Sequence, residues 1–216
     1  MKITVDKTFT DKGFAVHLAA LSYTVRVGKS PSGLIQSITE EGESRQTELM
    51  GDPVSSDPVI AALREAFKLC GKDPSRYRPS SEALLRRIMA GKGLYSVNNV
   101  VDAGNLISIG TGLPIGVYDS AKISGDCTLR LGGTGESYDW VGRGNINLEH
   151  LPVMADDHGP FGSPFSDSAR TSISEDTTEV LLVLYGLNVS VELMEQMAEA
   201  ADLIFEKYCT EDVTIN

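Results

Sequence analysis

The stretch "VNNVVDAGNLISI", residues 97 to 109, places apolar side chains at Val97, Val100, Val101, Leu106, Ile107 and Ile109. That is the three-and-four spacing of a helix with one buried face. Asn98, Asn99, Asp102 and Asn105 run through the same segment. Asparagine is a poor helix-interior residue, because its amide competes for nearby backbone groups. On a helix, Asn98, Asp102 and Asn105 share one face through spacings of four and three. Polar groups so placed either line the edge of a pocket or form a buried network satisfied by backbone.

Working outward, "GTG" at 110–112 ends this helix, and two more precede it. "SDPVIAALREAFKLCG" opens on Asp57 as a cap with Pro58 at the first helical position, and closes at Gly71. "PSSEALLRRIMAGKG" repeats the layout with Ser80, Glu82 and Gly91. Residues 31 to 55, polar and Gly/Ser-rich, read as a short helix plus loop. "ITV" and "AALSYTVRV" read as strands, the second alternating around Leu21, Tyr23, Val25 and Val27.

Downstream the signals change. "IGVYD", "CTLRL" and "SYDWV" are short and β-rich, separated by turns such as "GGTGE", and "LPVMAD" follows. "TEVLLVLYG" is a continuous apolar run, as in a buried central strand. "SVELMEQMAEAADLIFEKYC" is an amphipathic helix with Ser190 as N-cap and a stripe of Leu193, Met197, Ala200, Ile204 and Tyr208 expected in the core. No linker divides the helix-rich front from the strand-rich back, and no internal repeat is visible. The expectation is one α+β domain over residues 1–216, with helices covering a mostly antiparallel sheet system.

The chain is 41% hydrophobic and 23% charged, ordinary for a globular protein. No apolar run approaches the roughly 20 residues that span a bilayer, and the N-terminus lacks the layout of a signal peptide. Cys70, Cys127 and Cys209 are scattered and odd in number, which suggests reduced thiols. His17, His150 and His158 share no metal-ligand spacing with them. These features lead to the expectation of a soluble, cytoplasmic protein without metal or other cofactor and without a membrane partner.

The net charge of −11 argues against a broad nucleic-acid-binding face, since phosphate contacts need clustered Lys and Arg. A local basic stretch nevertheless runs from Lys68 to Lys92, with Lys72, Arg76, Arg78, Arg86 and Arg87 against only Asp73 and Glu82. It reads either as a solvated face or as an RNA contact through Arg76, Arg78, Arg86, Arg87 and Lys92.

Standard catalytic motifs are absent: no GxSxG, P-loop, HExxH or strand-borne GxGxxG. A second unusual stretch, "GPFGSPFSDSARTSISEDTTEV" at 159–180, reads as an irregular loop shaped by Gly159, Pro160, Gly162 and Pro164 that then enters a strand. Asp167, Ser168, Arg170 and Thr171 cluster in it. The Arg170 guanidinium suits a carboxylate or phosphate ligand, or a salt bridge to Asp167, Asp119 or Asp102.

The two unusual stretches carry a resemblance. "YSVNNVVDAGNLISIGTGLPIGVYDSAKISG" and "DSARTSISEDTTEVLLVLYG", with "YRPSSEALLRRIMAGKGL" before them, resemble the B3/B4 domain of the bacterial phenylalanyl-tRNA synthetase beta subunit, in order, from about Arg76 to Gly186. The wording of the last is closest to the family's stand-alone members. The resemblance implies a sandwich-like α+β fold and an editing module that hydrolyses tyrosine wrongly attached to the phenylalanine tRNA, with the asparagine-bearing helix bordering the pocket. Asn98, Asn99, Asp102, Asn105 and Asp119 match the family's pattern. The family's pocket threonine falls at Gly104, its pocket histidine at Gly116, and its tyrosine-reading glutamate near Ala169, or at Asp167 after a small shift. These replacements undercut tyrosine-specific editing, and the two glycines are expected to leave room for a different ligand.

The resulting expectation is a pocket of Asn98, Asn99, Asp102, Gly104, Asn105, Gly116, Asp119, Asp167, Ser168, Arg170 and Thr171, holding the aminoacyl group of a tRNA 3′ end. Hydrolysis of mischarged aminoacyl-tRNA in trans would use a bound water. No side chain is nominated as general base, and Asp167 is the leading carboxylate. Two alternatives stay open: a small-molecule (amino acid or metabolite) binding protein on the same scaffold, and a protein-interaction module. No protein partner is nameable from sequence.

Overall fold

The apolar run at 178–186 has no polar face to give to water, so it must be covered on both sides, and the rest of the chain is arranged around it. The computed structural model describes residues 1–141 and 144–210. In chain order the elements are β1 (Ile3–Val5), α1 (Thr8–Asp11), β2 (Val16–Thr24), α2 (Ser32–Leu49), α3 (Pro58–Leu69), α4 (Ser80–Met89), α5 (Asn99–Thr111), β3 (Ile115–Asp119), β4 (Cys127–Leu131), β5 (Ser137–Trp140), β6 (Gly144–Asn147), β7 (Pro152–Asp156), β8 (Gly159–Gly162), β9 (Glu179–Leu187) and α6 (Val191–Cys209). Short 3₁₀ turns occupy Val54–Ser56, Ser120–Lys122 and Ala169–Thr171.

The apolar run is β9, central in a sheet of order β2-β9-β3 and antiparallel to both neighbours. A second sheet has the order β1-β4-β7-β8, antiparallel except for the parallel β1–β4 pair, and β5 and β6 form a hairpin. The fold is α+β, with two mainly antiparallel sheets and covering helices. Tyr118, Leu182 and Tyr185 of one sheet and Leu129, Met154 and Phe161 of the other share one buried cluster with Ala103, Leu106 and Ile107 of α5. A smaller cluster gathers Phe67, Tyr138, Leu148, Leu151 and Val153.

Asp57 caps α3, accepting from the Val59 and Ile60 N–H groups, and Ser190 caps α6 through the Leu193 N–H. Four expectations need correction. Residues 32–49 form one 18-residue helix rather than a short helix and loop. Its inward line is Leu34, partly buried Ile38, Gly42 and Leu49, and Gly42 lets α2 approach Ile88 of α4. Pro79, not Ser80, is the N-cap of α4, with no side-chain cap. Gly159–Gly162 pair with β7 as a strand instead of starting an irregular loop. In α6 the fully packed line is Met194, Ala201, Phe205 and Tyr208; Leu193, Met197 and Ile204 are partly buried at its edge, and Ala200 is exposed.

Candidate functional site

The polar residues of α5 divide between stitching and facing a cavity. Asn98 is the N-cap, accepting the Val101 N–H at 2.9 Å. Asn99, 2% exposed, ties three segments: its amide oxygen accepts the Gly28 N–H at 2.8 Å, and its nitrogen donates to the Arg26 and Tyr208 carbonyls at 3.0 Å each. The buried Asp102 carboxylate accepts the Ser30 and Ser96 hydroxyls at 2.6 Å each and the Val97 N–H at 3.0 Å. Backbone N–H and carbonyl groups cannot be left unpaired in a packed interior, and the amide's two-donor, one-acceptor chemistry at Asn99 answers three of them. Asn105, one turn on, turns toward a cavity instead.

That cavity, about 420 Å³, is walled by Ala83 and Leu84 of α4, by Val101, Gly104 and Asn105 of α5, by Ile115 and Val117 of β3, and by Trp140, Phe165 and Ile173. Its volume and mostly apolar wall with a few polar groups are those of a small-ligand site. Gly104 lets α5 lie close on β3: a Cβ there would stand 2.8 Å from Val117 Cγ2. Asp167 is the single ionisable side chain of the wall among the described residues.

Asp167 follows β8 and bridges back to Gly162. Its carboxylate accepts the Tyr118 hydroxyl at 2.7 Å, and Tyr118 in turn lies 2.7 Å from the Tyr185 hydroxyl. With the Tyr118 proton given to Asp167, Tyr185 is the donor of the second bond. Burial pushes the Asp167 carboxyl up from 3.8 to about 7, against the lowering effects of Tyr118 and the Ser163 N–H. The phenols of Tyr118 and Tyr185 are raised well above their ordinary range, first by burial and then by the adjacent carboxylate.

The Tyr118 ring is edge-on to Phe161 and lies over two glycines. A Cβ on either Gly116 or Gly162 would overlap its hydroxyl. The expectation that Gly104 and Gly116 open room for a different ligand is not met at Gly116, whose space Tyr118 fills, while Gly104 stands in the cavity wall. One accommodates a helix–strand contact and the other a tyrosine.

The basic stretch lies beside the cavity on α4 and the segment after it. Glu82, fully buried, receives Arg64 at 3.0 Å, Arg86 at 2.8 Å and Arg78 at 3.6 Å. Arg87 stacks on Tyr95 at 4.0 Å from the ring centre, and Tyr95 is 76% exposed. Arg87 follows the cavity residues Ala83 and Leu84 by four and three positions, so it continues their face of α4. Val97, two residues past Tyr95, reaches the cavity. The Arg87–Tyr95 pair thus lies on the same two segments, α4 and residues 95–97, that contribute Ala83, Leu84 and Val97 to the wall. Arg76 and Lys92 are exposed.

Of the residues expected in the pocket, Gly104, Asn105 and Asp167 line the cavity, and Gly116 lies under the Tyr118 hydroxyl that bonds Asp167. Asn98, Asn99 and Asp102 fix the helix. Asp119 accepts the Thr177 hydroxyl at 2.8 Å and pairs with Lys122 at 3.2 Å. Ser168 accepts the Arg170 N–H at 3.2 Å, and Thr171 donates to the Phe161 carbonyl at 3.4 Å. Arg170 pairs with Asp156 at 2.8 Å, not with Asp167, Asp119 or Asp102, and also holds the Lys122 carbonyl. Tyr118, Tyr185, Trp140 and Phe165 were not foreseen. The sign of Tyr118 was available in "GVYD", where a glycine precedes an aromatic by two on one face of a strand.

Among the described residues no group of three or more His, Cys, Asp or Glu is placed to hold a metal ion, and no helix is long and apolar enough to cross a membrane.

The family model of the B3/4 domain matches residues 62–209. The phenylalanine–tRNA ligase beta subunit of Neisseria meningitidis is 25% identical over 146 residues, covering 64% of this chain and 19% of that protein. That of Rhodopseudomonas palustris is 31% identical over 132 residues, covering 60% of this chain and 16% of that one. The chain thus spans less than a fifth of the length of these relatives. An N-terminal fragment of the phenylalanyl-tRNA synthetase beta subunit from Pyrococcus horikoshii aligns with 94% of this chain and 48% of that one, at 14% identity and a TM-score of 0.47.

Proposed function

The chain belongs to the B3/4 domain family, and from that premise we propose that its cavity receives the aminoacyl group at the 3′ end of a tRNA and that the protein hydrolyses the ester in trans. The relatives are named as ligases that act on tRNA, which supports the substrate class. The observation that carries the reading is the cavity itself, with apolar walls and one carboxyl, and the stacked Arg87–Tyr95 pair lies on segments that also line it. Apolar walls suit an apolar or aromatic side chain. An exposed aromatic ring beside a guanidinium suits an unstacked base and its phosphate.

In the hydrolysis, a water oxygen bonds to the ester carbonyl carbon and the carbon–oxygen bond to the terminal ribose breaks. The proton lost by water ends on the ribose oxygen, passed through a neighbouring ribose hydroxyl. The protein's part is to hold the ester still and exclude competing geometries.

The test is deacylation of a panel of correctly and wrongly charged tRNAs, tyrosine on the phenylalanine tRNA included. The expected result is turnover of at least one member, with tRNA binding that weakens steeply with salt. Arg87→Ala with Lys92→Ala is expected to weaken that binding without touching the Glu82 cluster. Absence of turnover across the whole panel would contradict the hydrolysis, and absence of salt-sensitive tRNA binding as well would contradict the proposal entirely.

A further inference from the structure

The cavity wall contains a carboxyl with no cation to face it. No Lys, Arg or His lines the cavity among the described residues. The groups packed around Asp167 are phenols, Tyr118 from β3, Tyr185 from β9 and Tyr138 from β5, with the Ser163 N–H. Arg170, three residues away in sequence, is held by Asp156. Arg86 and Arg78 are held by Glu82. A carboxylate has about four acceptor sites, and Tyr118 and Ser163 supply two donors. Asp167 is partly buried, and a carboxylate with one side on an apolar cavity wall favours a proton or a positive partner over an isolated charge.

We propose that Asp167 anchors a primary ammonium group, so that the cavity takes ligands built as an ammonium on an apolar or aromatic body. Tyr118 serves as the positioning residue that fixes the carboxylate. This deepens the reading above and rests on it for one point, that the physiological ligand is an aminoacyl ester. An aminoacyl ester has an α-ammonium and no carboxylate. Its hydrolysis product, the free amino acid, brings a second carboxylate next to the first, and like charges in an apolar site repel. The site therefore favours ester over product, which helps release.

Burial holds the Asp167 carboxyl up at about 7, so below that pH a proton competes with a cationic ligand for it. An alkyl ammonium stays charged until about pH 10. Its binding should therefore strengthen as pH rises through 7 and then level off.

The experiment is isothermal titration of the whole protein with four probes of one shape: phenethylamine, phenylalaninamide, N-acetylphenylalaninamide and phenylalanine. Phenethylamine and phenylalaninamide are expected to bind. The N-acetyl compound, which lacks the cation, should bind about 10- to 100-fold more weakly, the value of a charged hydrogen-bonded contact, and phenylalanine should be weaker than its amide. Phenethylamine affinity should fall as pH drops from 8 to 5.5, and Asp167→Asn should abolish both the preference and the pH dependence. Equal binding of the acetylated and free-amine probes by the unaltered protein would overturn the proposal without reliance on any variant. Phenethylamine binding as tightly as the amide would support a simple amine as ligand and keep the anchor. Amine binding with no turnover in the tRNA panel would uphold the anchor and reject the hydrolase reading.

Discussion

Gly116 and Gly162 stand on strands of different sheets, yet a side chain on either would enter the space of the Tyr118 hydroxyl. Gly116→Ala is accordingly expected to cost about 1–3 kcal/mol by overpacking, and far less in a Tyr118→Val background, as a double-mutant cycle by chemical denaturation would measure. Asp167 adds a pH signature. Its folded-state carboxyl lies at about 7 against an unfolded value of 3.8. The folded state then holds the extra proton between these values, so this group's contribution to stability falls as pH rises from about 4 to 7. Asp167→Asn removes that loss. The melting temperature of the variant relative to the parent is expected to be more favourable at pH 8 than at pH 4.5, as thermal scans at the two pH values would show. A difference of the opposite sign would mean the carboxyl is held ionised. Asp167 was legible as a carboxylate in a loop. Tyr118 was legible only in half, through Gly116 two residues before it, because the other half of its slot is Gly162, a residue distant in sequence that only the packing of the two sheets brings near.

Helix α5 and strand β9 were legible because each is fixed by its own periodicity: an apolar face broken by polar residues, and an unbroken apolar run. Helix α2 was read too short because its solvent face is rich in Glu, Ser and Thr and its buried line is interrupted by Gly42, whose merit is packing against α4 rather than helix propensity. The stripe on α6 was read correctly at Tyr208 and in part at Leu193, Met197 and Ile204, which pack against the core only partly buried, because that helix carries two apolar lines. Met194, Ala201, Phe205 and Tyr208 enter the core, while Leu193, Met197 and Ile204 line a shallow groove with Leu106 and Ile107 of α5. Asn99 joins these elements, linking the start of α5 to residues 26–28 and to the end of α6. Asn99→Ala should cost about 1–3 kcal/mol by stranding buried backbone groups, more than the ~1 kcal/mol expected for the cap Asn98→Ala, with urea denaturation as the comparison. In α4, Glu82→Gln should lower stability by about 1.5–3 kcal/mol, since three guanidinium groups lose their shared anion; equal midpoints for variant and parent in the same urea series would show that the cluster contributes nothing.

Across the whole molecule, charge is sorted by element. Acidic residues concentrate on α2 (Glu40, Glu41, Glu43, Glu48) and α6 (Glu192, Glu195, Glu199, Glu206), while the basic stretch sits on α4 beside the cavity opening. With a net charge of −11, such sorting would turn a polyanion away from most of the surface and toward that opening. The mixed fold was readable from the change of periodicity along the chain. The cavity was readable only in part, because most of its wall is ordinary apolar packing whose hollow depends on how α4, α5 and β3 meet. The central claim is that this hollow holds an aminoacyl group joined to a terminal adenosine. The most direct measurement is a titration of methyl-labelled protein with a non-hydrolysable 3′-aminoacylamino-adenosine, followed by NMR. The account predicts shifts concentrated at the methyls of Leu84, Val97, Val101, Ile115, Val117 and Ile173; shifts centred on the α5–α6 groove, or none at any of these six, would contradict it.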